Sequence, residues 1–434
     1  MRQRLASMVM PASAMTDYRE HSECLDFAVI GGGAAGFFAA LRFAGLRPGK
    51  AVTIFEKSHR FLQKVAISGG GRCNVTHACF DPATMATHYP RGRRELRGAF
   101  HRWQPDDTVA WFEQRGVKLK TEPDGRMFPV TDSSATVIEC FLAEAEQLGV
   151  SRQTNRPLKG LDRDETGMFT LDFGPDHPPV RARAVCLATG SLKGNPLANV
   201  LRDLDLPVVP LVPSLFAFNV TDPRIAGLAG VSHPDVAVRR RDGGPPQRGP
   251  LLITHRGFSG PAILRTSAWE ARELAAANHH FAFEIDWLPD MSVENLQQWM
   301  QTNRAGHGAM RVRNRRPAPL PKRLWESLVE SCEIDPATTW AQLGKAAARR
   351  LIEALKHSHF NAEGKTTNKD EFVTCGGLDR AAVDFRTMES RQIPGLYFAG
   401  EVVDLDGITG GFNFQAAWTT AHLAATAAAA RIMA

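Results

Sequence analysis

The sequence predicts an α/β chain: a Rossmann-type dinucleotide-binding domain, discontinuous along the chain, with an inserted β subdomain and a helical cap. Three observations lead there. Residues 26–45 read DFAVIGGGAAGFFAALRFAG, an apolar run, a glycine turn and a helix in succession. Ala51 to Phe55 is a second apolar run, and Glu56 ends it. Near the C-terminus, Leu396 to Ala399 is a further strand, and Gly410-Gly411 opens an alanine-rich helix that continues almost to Ala434.

Each element has a physical reason. Phe27 to Ile30 is short and continuously apolar, as a buried parallel strand requires. Gly31, Gly33 and Gly36 then follow in G-x-G-x-x-G spacing. Gly31 suits the tight turn, Gly33 a close approach of backbone to a pyrophosphate, and Gly36 close packing of helix on strand. Ala34 and Ala35 open a helix running to Ala44, whose N-terminus faces the phosphates. Glu56 lies twenty residues beyond Gly36, followed by Lys57, where a carboxylate accepts hydrogen bonds from an adenosine ribose. Glutamate there, rather than arginine, favours a ribose without a 2′-phosphate. Only one such fingerprint exists. ATGSLKG at 188–194, with Gly190, follows the strand Ala184 to Leu187 but lacks the spacing. A second Rossmann domain for a nicotinamide nucleotide is therefore not expected.

The remainder divides by composition. With 434 residues the chain is long enough for two or three domains. The dinucleotide domain is expected over 25–205 and 388–434, after a flexible N-terminal extension over 1–24. Closely spaced prolines in VVPLVPSLFAFNV mark the start of the insert, read as a β subdomain over 206–290 and 361–387. Periodic SVENLQQWMQ and TTWAQLGKAAARRLIEALKHS predict a helical cap over 291–360, lying across the redox face. MRQRLASMVMPASA loosely resembles a signal peptide, but its apolar stretch is short and broken by Ser7 and Pro11; Met15 is an alternative start. No run of residues is long and apolar enough to span a bilayer, and the expected compartment is the cytoplasm. The seven cysteines are scattered without zinc-type pairing, so no metal is expected.

Residues 67–77 read ISGGGRCNVTH, three glycines followed by Arg72, Cys73 and Asn74. Glycine is the costliest residue to order, so a triplet implies a special backbone task, either a tight turn or close approach to a ligand. Other marked segments are DGRMFP (124–129), THRGFSGPAIL (254–264), LPKRL (320–324), TCGGL (374–378), TMESR (387–391) and GLYFAGEVVDLDGITGGFNFQAAW (395–418). Together with GGGAAG these run in order over nearly all the chain after residue 25.

In these segments the chain resembles the bacterial NAD(P)/FAD-dependent oxidoreductases often called BaiN-like or RdsA-like, a branch of the two-dinucleotide flavoprotein superfamily. The resemblance implies a Rossmann-type FAD-binding domain and an SGGG loop packed along FAD. It brings Lys64, Arg72, Cys73 and Asn74 near the flavin or its phosphate bridge and Gly400 and Glu401 near the ribityl-phosphate part, with Gly71 and Gly190 as further cofactor-binding positions. Gly411, Asn413, Phe414 and Gln415 would meet the flavin ring, and the backbone near Leu158 the adenine. One departure is the short SLKGNPLANVLRDLDLP after ATG, where many relatives carry a longer glycine- and proline-rich segment.

The expected activity is an FAD-dependent oxidoreductase, with NAD(P)H docking transiently as electron donor. Reduced flavin would pass hydride to an electron-poor C=C or C=N of a small-molecule substrate. Cys73 and His255 are candidate proton donors, against a buried thiol and a packing role respectively. Asp404 and Asp406 would stabilise charge or form turns. The net charge of +6 and two basic stretches, Arg91 to Arg102 and Arg311 to Arg323, are compatible with a solvated face or with RNA contact. The resemblance sharpens the RNA alternative, because the family includes an rRNA dihydrouridine-forming branch beside enzymes of steroid-like enones and of aminoacetone. An amine (aminoacetone-type) oxidase is the third reading. Oligomeric state is not legible.

Overall fold

The computed structural model describes residues 24–366 and 373–433, so the N-terminal extension expected over 1–24 falls almost entirely outside it. A nine-stranded sheet organises the first unit. Its parallel part runs, in spatial order, Leu396–Phe398, Val180–Leu187, Leu25–Ile30, Val52–Phe55 and Ser151–Gln153. Phe27 and Ile30 sit opposite Val52 and Phe55 on one side and Ala184 and Leu187 on the other. With neighbours on both edges and helices on its faces, the strand must be apolar throughout, and Phe27 to Ile30 are buried. A meander, Gly160–Arg163 and Phe169–Asp172, enters by antiparallel pairing with Val180–Leu187.

The fingerprint helix, Ala34–Leu46, lies along the C-terminal helix, Phe412–Arg431. Alanine and glycine faces allow the close approach, and Arg47 Nε donates to Ala429 O at 2.9 Å. Phe38, Trp103, Trp111, Phe112, Phe141 and Trp418 interlock at the far side of this pair. A small sheet of Thr76–His77, Arg126–Pro129 and Leu119–Thr121 follows the glycine loop, which explains why DGRMFP accompanies SGGGRCN.

A six-stranded antiparallel sheet builds the second unit: Phe218–Asn219, Gly257–Ser259, Gln247–Thr254, Ser232–Arg240, His280–Asp286 and Ser358–Glu363. The helical segment expected as a separate cap packs against this sheet instead. Trp325 and Leu351 from its helices and Trp340 from the segment between them share one core with Phe283 and Phe360 of the strands and with Trp287. The reason is amphipathy: Lys322–Ser331 and Lys345–Lys356 each bury one apolar stripe, and the sheet face is what lies beneath it. Two strands join the units, Val208–Ser214 and Val373–Leu378, paired antiparallel. Leu215, Val373 and Leu378 belong to the core of the first unit. Among the described residues no helix is long and apolar enough to cross a membrane.

Candidate functional site

The fingerprint loop shows what each glycine is for. A Cβ at Gly36 would lie 1.8 Å from Gly31 O, so only hydrogen lets the helix pack on the turn. A Cβ at Gly33 would meet no atom within 4 Å, so that position borders open space. Gly33 caps the helix without a side-chain partner, leaving the first N–H groups directed at that space. Glu56 Oε2 accepts from Gly32 N–H at 2.7 Å and Oε1 from Ser58 N–H and Oγ at 2.9 and 2.8 Å. A carboxylate retains further lone pairs beyond these, so ribose hydroxyls can join. Gly31, Glu56, Lys57, Leu158 and Thr189 border one narrow cleft. Thr189 Oγ1 is buried there without a hydrogen-bond partner.

The glycine triplet leaves the helix at Ser68 and runs left-handed, with φ of 56°, 70° and 84° at Gly69, Gly70 and Gly71. A Cβ on Gly69 would press on Phe128, whereas those on Gly70 and Gly71 would meet nothing within 4 Å. The loop therefore combines a conformation other residues resist with bare backbone facing open space. Beside it stand Lys64 and Glu401, paired at 2.9 Å, with Gly190 next to both. Glu401 Oε1 also accepts from Thr374 N–H at 2.9 Å, and Gly400 N–H donates to Thr420 Oγ1 at 2.9 Å. With its amide oriented to match donors and acceptors, Asn74 accepts from Gly411 N–H at 2.9 Å and donates to Met127 O and Thr76 O. Asn74 thereby ties the glycine loop to the start of the C-terminal helix.

Several expected contacts fall elsewhere. Arg72 is drawn outward to Glu122 (2.6 Å) and Asp132 (3.5 Å), with its guanidinium over the Phe128 ring. Cys73 is fully buried with φ of 60°, burial pushes its thiol up to about 12, and it lines neither cleft. Cys73 and Cys79 are both free thiols. Gln415 is turned inward, accepting from Thr76 Oγ1 and Thr108 Oγ1 and donating to Thr419 Oγ1. Asn413 closes its own loop through two 2.9 Å bonds with Gly407. Phe414 stacks on Trp418, the rings 5.5 Å apart. His255 sits exposed in the two-residue turn of the hairpin between Gln247–Thr254 and Gly257–Ser259 and lines neither cleft.

The two acidic residues of the C-terminal loop are anchors. Asp404 is held by Arg272, Arg380 and Gly376 N–H; Asp406 is held by Arg91 and Ser214 Oγ. This overturns Arg91 as an RNA contact: it is buried, and also donates to Ala268 O. In the second basic stretch, Arg316 donates to Leu320 O, Arg323 to Gly227 O, and Arg313 pairs with Glu326. Arg93, Arg94, Arg97 and Arg102 remain exposed.

Two histidines that sequence reasoning passed over stand at the open end. His77 and His88 stack on Phe412 with centroids 4.6 and 4.3 Å away, and Tyr89 Oη donates to Phe412 O at 2.6 Å. Their Nδ1 atoms approach Gly410 O (3.0 Å) and Thr84 O (3.1 Å), which fixes the Nδ1–H tautomer of the neutral rings. Burial lowers both below the ordinary histidine value. His77 follows directly on SGGGRCNVT, the one sequence signal that marked it. His88 opens onto a second cleft of about 370 Å³ between the two units. Thr87 and Ile408 line it from the first unit; Arg239, Arg240, Arg265 and Trp269 line it from the second.

A glycine fingerprint, an open left-handed loop and an interdomain cleft at the far end define a dinucleotide-dependent enzyme. Over residues 25–427 the chain matches the family described as HI0933-like protein Rossmann domain, and it belongs to that family. It is a flavin-dependent oxidoreductase on a Rossmann FAD-binding fold. The ribosomal RNA dihydrouridine synthase of Escherichia coli (strain K12) is 32% identical over 92% of this chain and 96% of its own length. The 3-dehydro-bile acid delta(4,6)-reductase of Clostridium scindens is 28% identical over 93% and 98%. Among solved structures, 3-ketosteroid delta1-dehydrogenase from Sterolibacterium denitrificans shares the fold, at 13% identity and a TM-score of 0.50, covering 94% of this chain and 99% of that one.

Proposed function

We propose that the chain is an NAD(P)H-fed FAD reductase that adds hydride to an electron-poor C=C, with a uracil base in RNA as its substrate. FAD fits the residues present: there is open space at Gly33, Gly70 and Gly71, a helix N-terminus without a side-chain cap, and an orphaned Thr189 hydroxyl. Gly31, Gly33, Ala34, Ala35 and Gly36 would hold its pyrophosphate; Glu56, Lys57 and Leu158 its adenosine; Lys64, Gly71, Asn74, Gly190, Gly400, Glu401 and Gly411 the remainder. When bound, the cofactor would supply two-electron redox chemistry.

The chain's own groups then orient the acceptor. The observation that carries the substrate class is the lining of the interdomain cleft. Arg265, the ion-paired Arg239 and Arg240, Glu270 and a partly exposed Trp269 surround it. Cations with an aromatic face suit a phosphate-linked base, since phosphates seek guanidinium groups and bases stack on indole. The dihydrouridine synthase relative supports the same choice. Ile408 and Pro245 add an apolar side that favours a second reading, a small neutral enone, in line with the bile acid reductase relative.

The deciding experiment is an anaerobic titration of the FAD-loaded protein with NADH and NADPH. Bleaching of the flavin band, followed by reoxidation on adding a uridine-containing transcript, is the expected result. Reoxidation by 2-cyclohexenone alone would favour the second reading. A flavin that stays oxidised with either nucleotide and is reduced by an amine would overturn the reductase in favour of an oxidase.

A further inference from the structure

We propose that Arg265 is the electrophilic catalytic residue of this reaction, the group that holds the substrate's carbonyl oxygen while negative charge collects on it. This rests on the reductase reading above and names a residue that reading leaves open.

The other arginines of the cleft are neutralised. Arg239 pairs with Glu284 at 2.6 Å and Arg240 with Glu270 at 2.9 Å. Among the described residues Arg265 has no carboxylate at ion-pair distance; Asp124 acts on it only from further away and is itself bonded to Arg126. Its Nη1 donates to Arg248 O at 2.8 Å, which fixes the fork, and its Nε is buried with no acceptor. A half-buried guanidinium whose buried Nε lacks an acceptor is an incomplete site, because an unsatisfied charged donor is unfavourable until something accepts from it. The opposite wall cannot supply a competing cation: His77 and His88 are held neutral by burial. Arg265 is thus the uncompensated positive charge of the cleft, which Ile408 and His88 line from the first unit. It also explains THRGFSGPAIL, whose glycine and proline start the helix Pro261–Trp269 that carries Arg265.

The chemistry requires such a group. When hydride, carrying two electrons from the NAD(P)H-reduced cofactor, adds to the β-carbon of a conjugated carbonyl, the C=C π pair moves. A double bond forms between the α-carbon and the carbonyl carbon, and the carbonyl π pair settles on oxygen as an enolate. A proton from water then reaches the α-carbon, completing net addition of two hydrogens. A fixed guanidinium in the cleft stabilises the enolate oxygen more than the neutral carbonyl, which is how it accelerates the step.

The test uses the FAD-loaded protein and 4-nitrophenol, whose coloured phenolate mimics a delocalised enolate. Wild type should bind the phenolate and lower the apparent ionisation pH of the bound phenol. Arg265→Gln should bind it at least about ten-fold more weakly at unchanged flavin content, with Arg265→Lys between the two. In stopped flow, flavin bleaching by NAD(P)H should be the same in wild type and Arg265→Gln. Reoxidation by the uridine transcript or 2-cyclohexenone should slow by roughly 10²–10³, the range for loss of one oxyanion donor. Equal phenolate binding by wild type and Arg265→Gln, or no binding by wild type, overturns the proposal. So does equal reoxidation. If wild type is reoxidised by neither acceptor, the reductase reading fails, and the phenolate titration still judges Arg265.

Discussion

The two ends of the site are made of different material. The proposed cofactor cradle is mostly backbone: glycines at 31, 33, 36, 70, 71, 190, 400 and 411 and the N-termini of two helices. The interdomain cleft is mostly side chain, gathered from residues 87–88, 239–247, 265–270 and 408 on both units. A backbone site needs glycine where a Cβ would collide or fill the ligand's space, and that need is written locally. A side-chain site needs only that distant segments meet. The difference predicts that substitutions at the cradle act on cofactor retention, while those at the cleft act on substrate.

Gly36→Ala should give the largest effect. Alanine favours a helix over glycine by about 1 kcal/mol. Here the new Cβ would sit 1.8 Å from a backbone oxygen, and neither atom can rotate away. Overpacking of that kind costs about 3 kcal/mol or more, so the clash outweighs the propensity. The purified protein should contain almost no flavin and melt several degrees lower. Gly33→Ala separates the two functions of the loop. Its Cβ would enter open space, so the apoprotein should melt like wild type while FAD affinity falls about ten- to a hundred-fold. If apoprotein stability fell equally in both variants, the space beside Gly33 would be structural and the contrast would fail.

At the cleft, acid should act through His77 and His88. Burial lowers both in the folded chain, whereas unfolded histidines titrate near 6.5. Below about pH 6.5 the unfolded state therefore binds more protons, and stability falls as pH drops toward the folded-state values. The limit is about 1.4 kcal/mol per pH unit for each ring. The groups facing His88 are His77 and Arg265, both of which oppose its charging. Arg265→Gln should accordingly move His88 upward in a histidine-resolved NMR titration, and His88→Gln should flatten the acid slope of denaturant midpoints. An unmoved His88 would detach it from the cleft's electrostatics.

Legibility follows the same division. The strand, turn and helix at 25–46 were readable because the glycine spacing, the apolar run and the acidic strand end each have one physical cause. Gln415 was misplaced because it stands in the flavin-loop motif, yet its amide serves Thr76 and Thr108 inside the fold. Arg91 looked like part of a basic face, and only the tertiary structure shows Asp406 beneath it. The helical segment looked like a cap because its amphipathy says that one face is covered, not by what. His88 and Arg265 carry no local signature; they come together only where the two units border one cleft.

Lys64 lies on the boundary between the two kinds of site, a side chain in the backbone cradle, and its effect should be the smallest. Its ammonium is 2.9 Å from Glu401, but the side chain is 57% exposed, so solvent screens the pair to about 0–1 kcal/mol. Lys64→Ala should shift the apoprotein's melting temperature by no more than about 2 °C. Glu401 stays in place because Thr374 N–H also holds it. If the lysine reaches a phosphate of the cofactor, FAD affinity should fall a few-fold at low salt, and the difference from wild type should shrink at high salt. Titrating both apoproteins with FAD at two ionic strengths decides this. Equal affinities at both would make Lys64 a counter-ion for Glu401 alone, and the cradle would then hold its cofactor without a phosphate-binding cation from that helix.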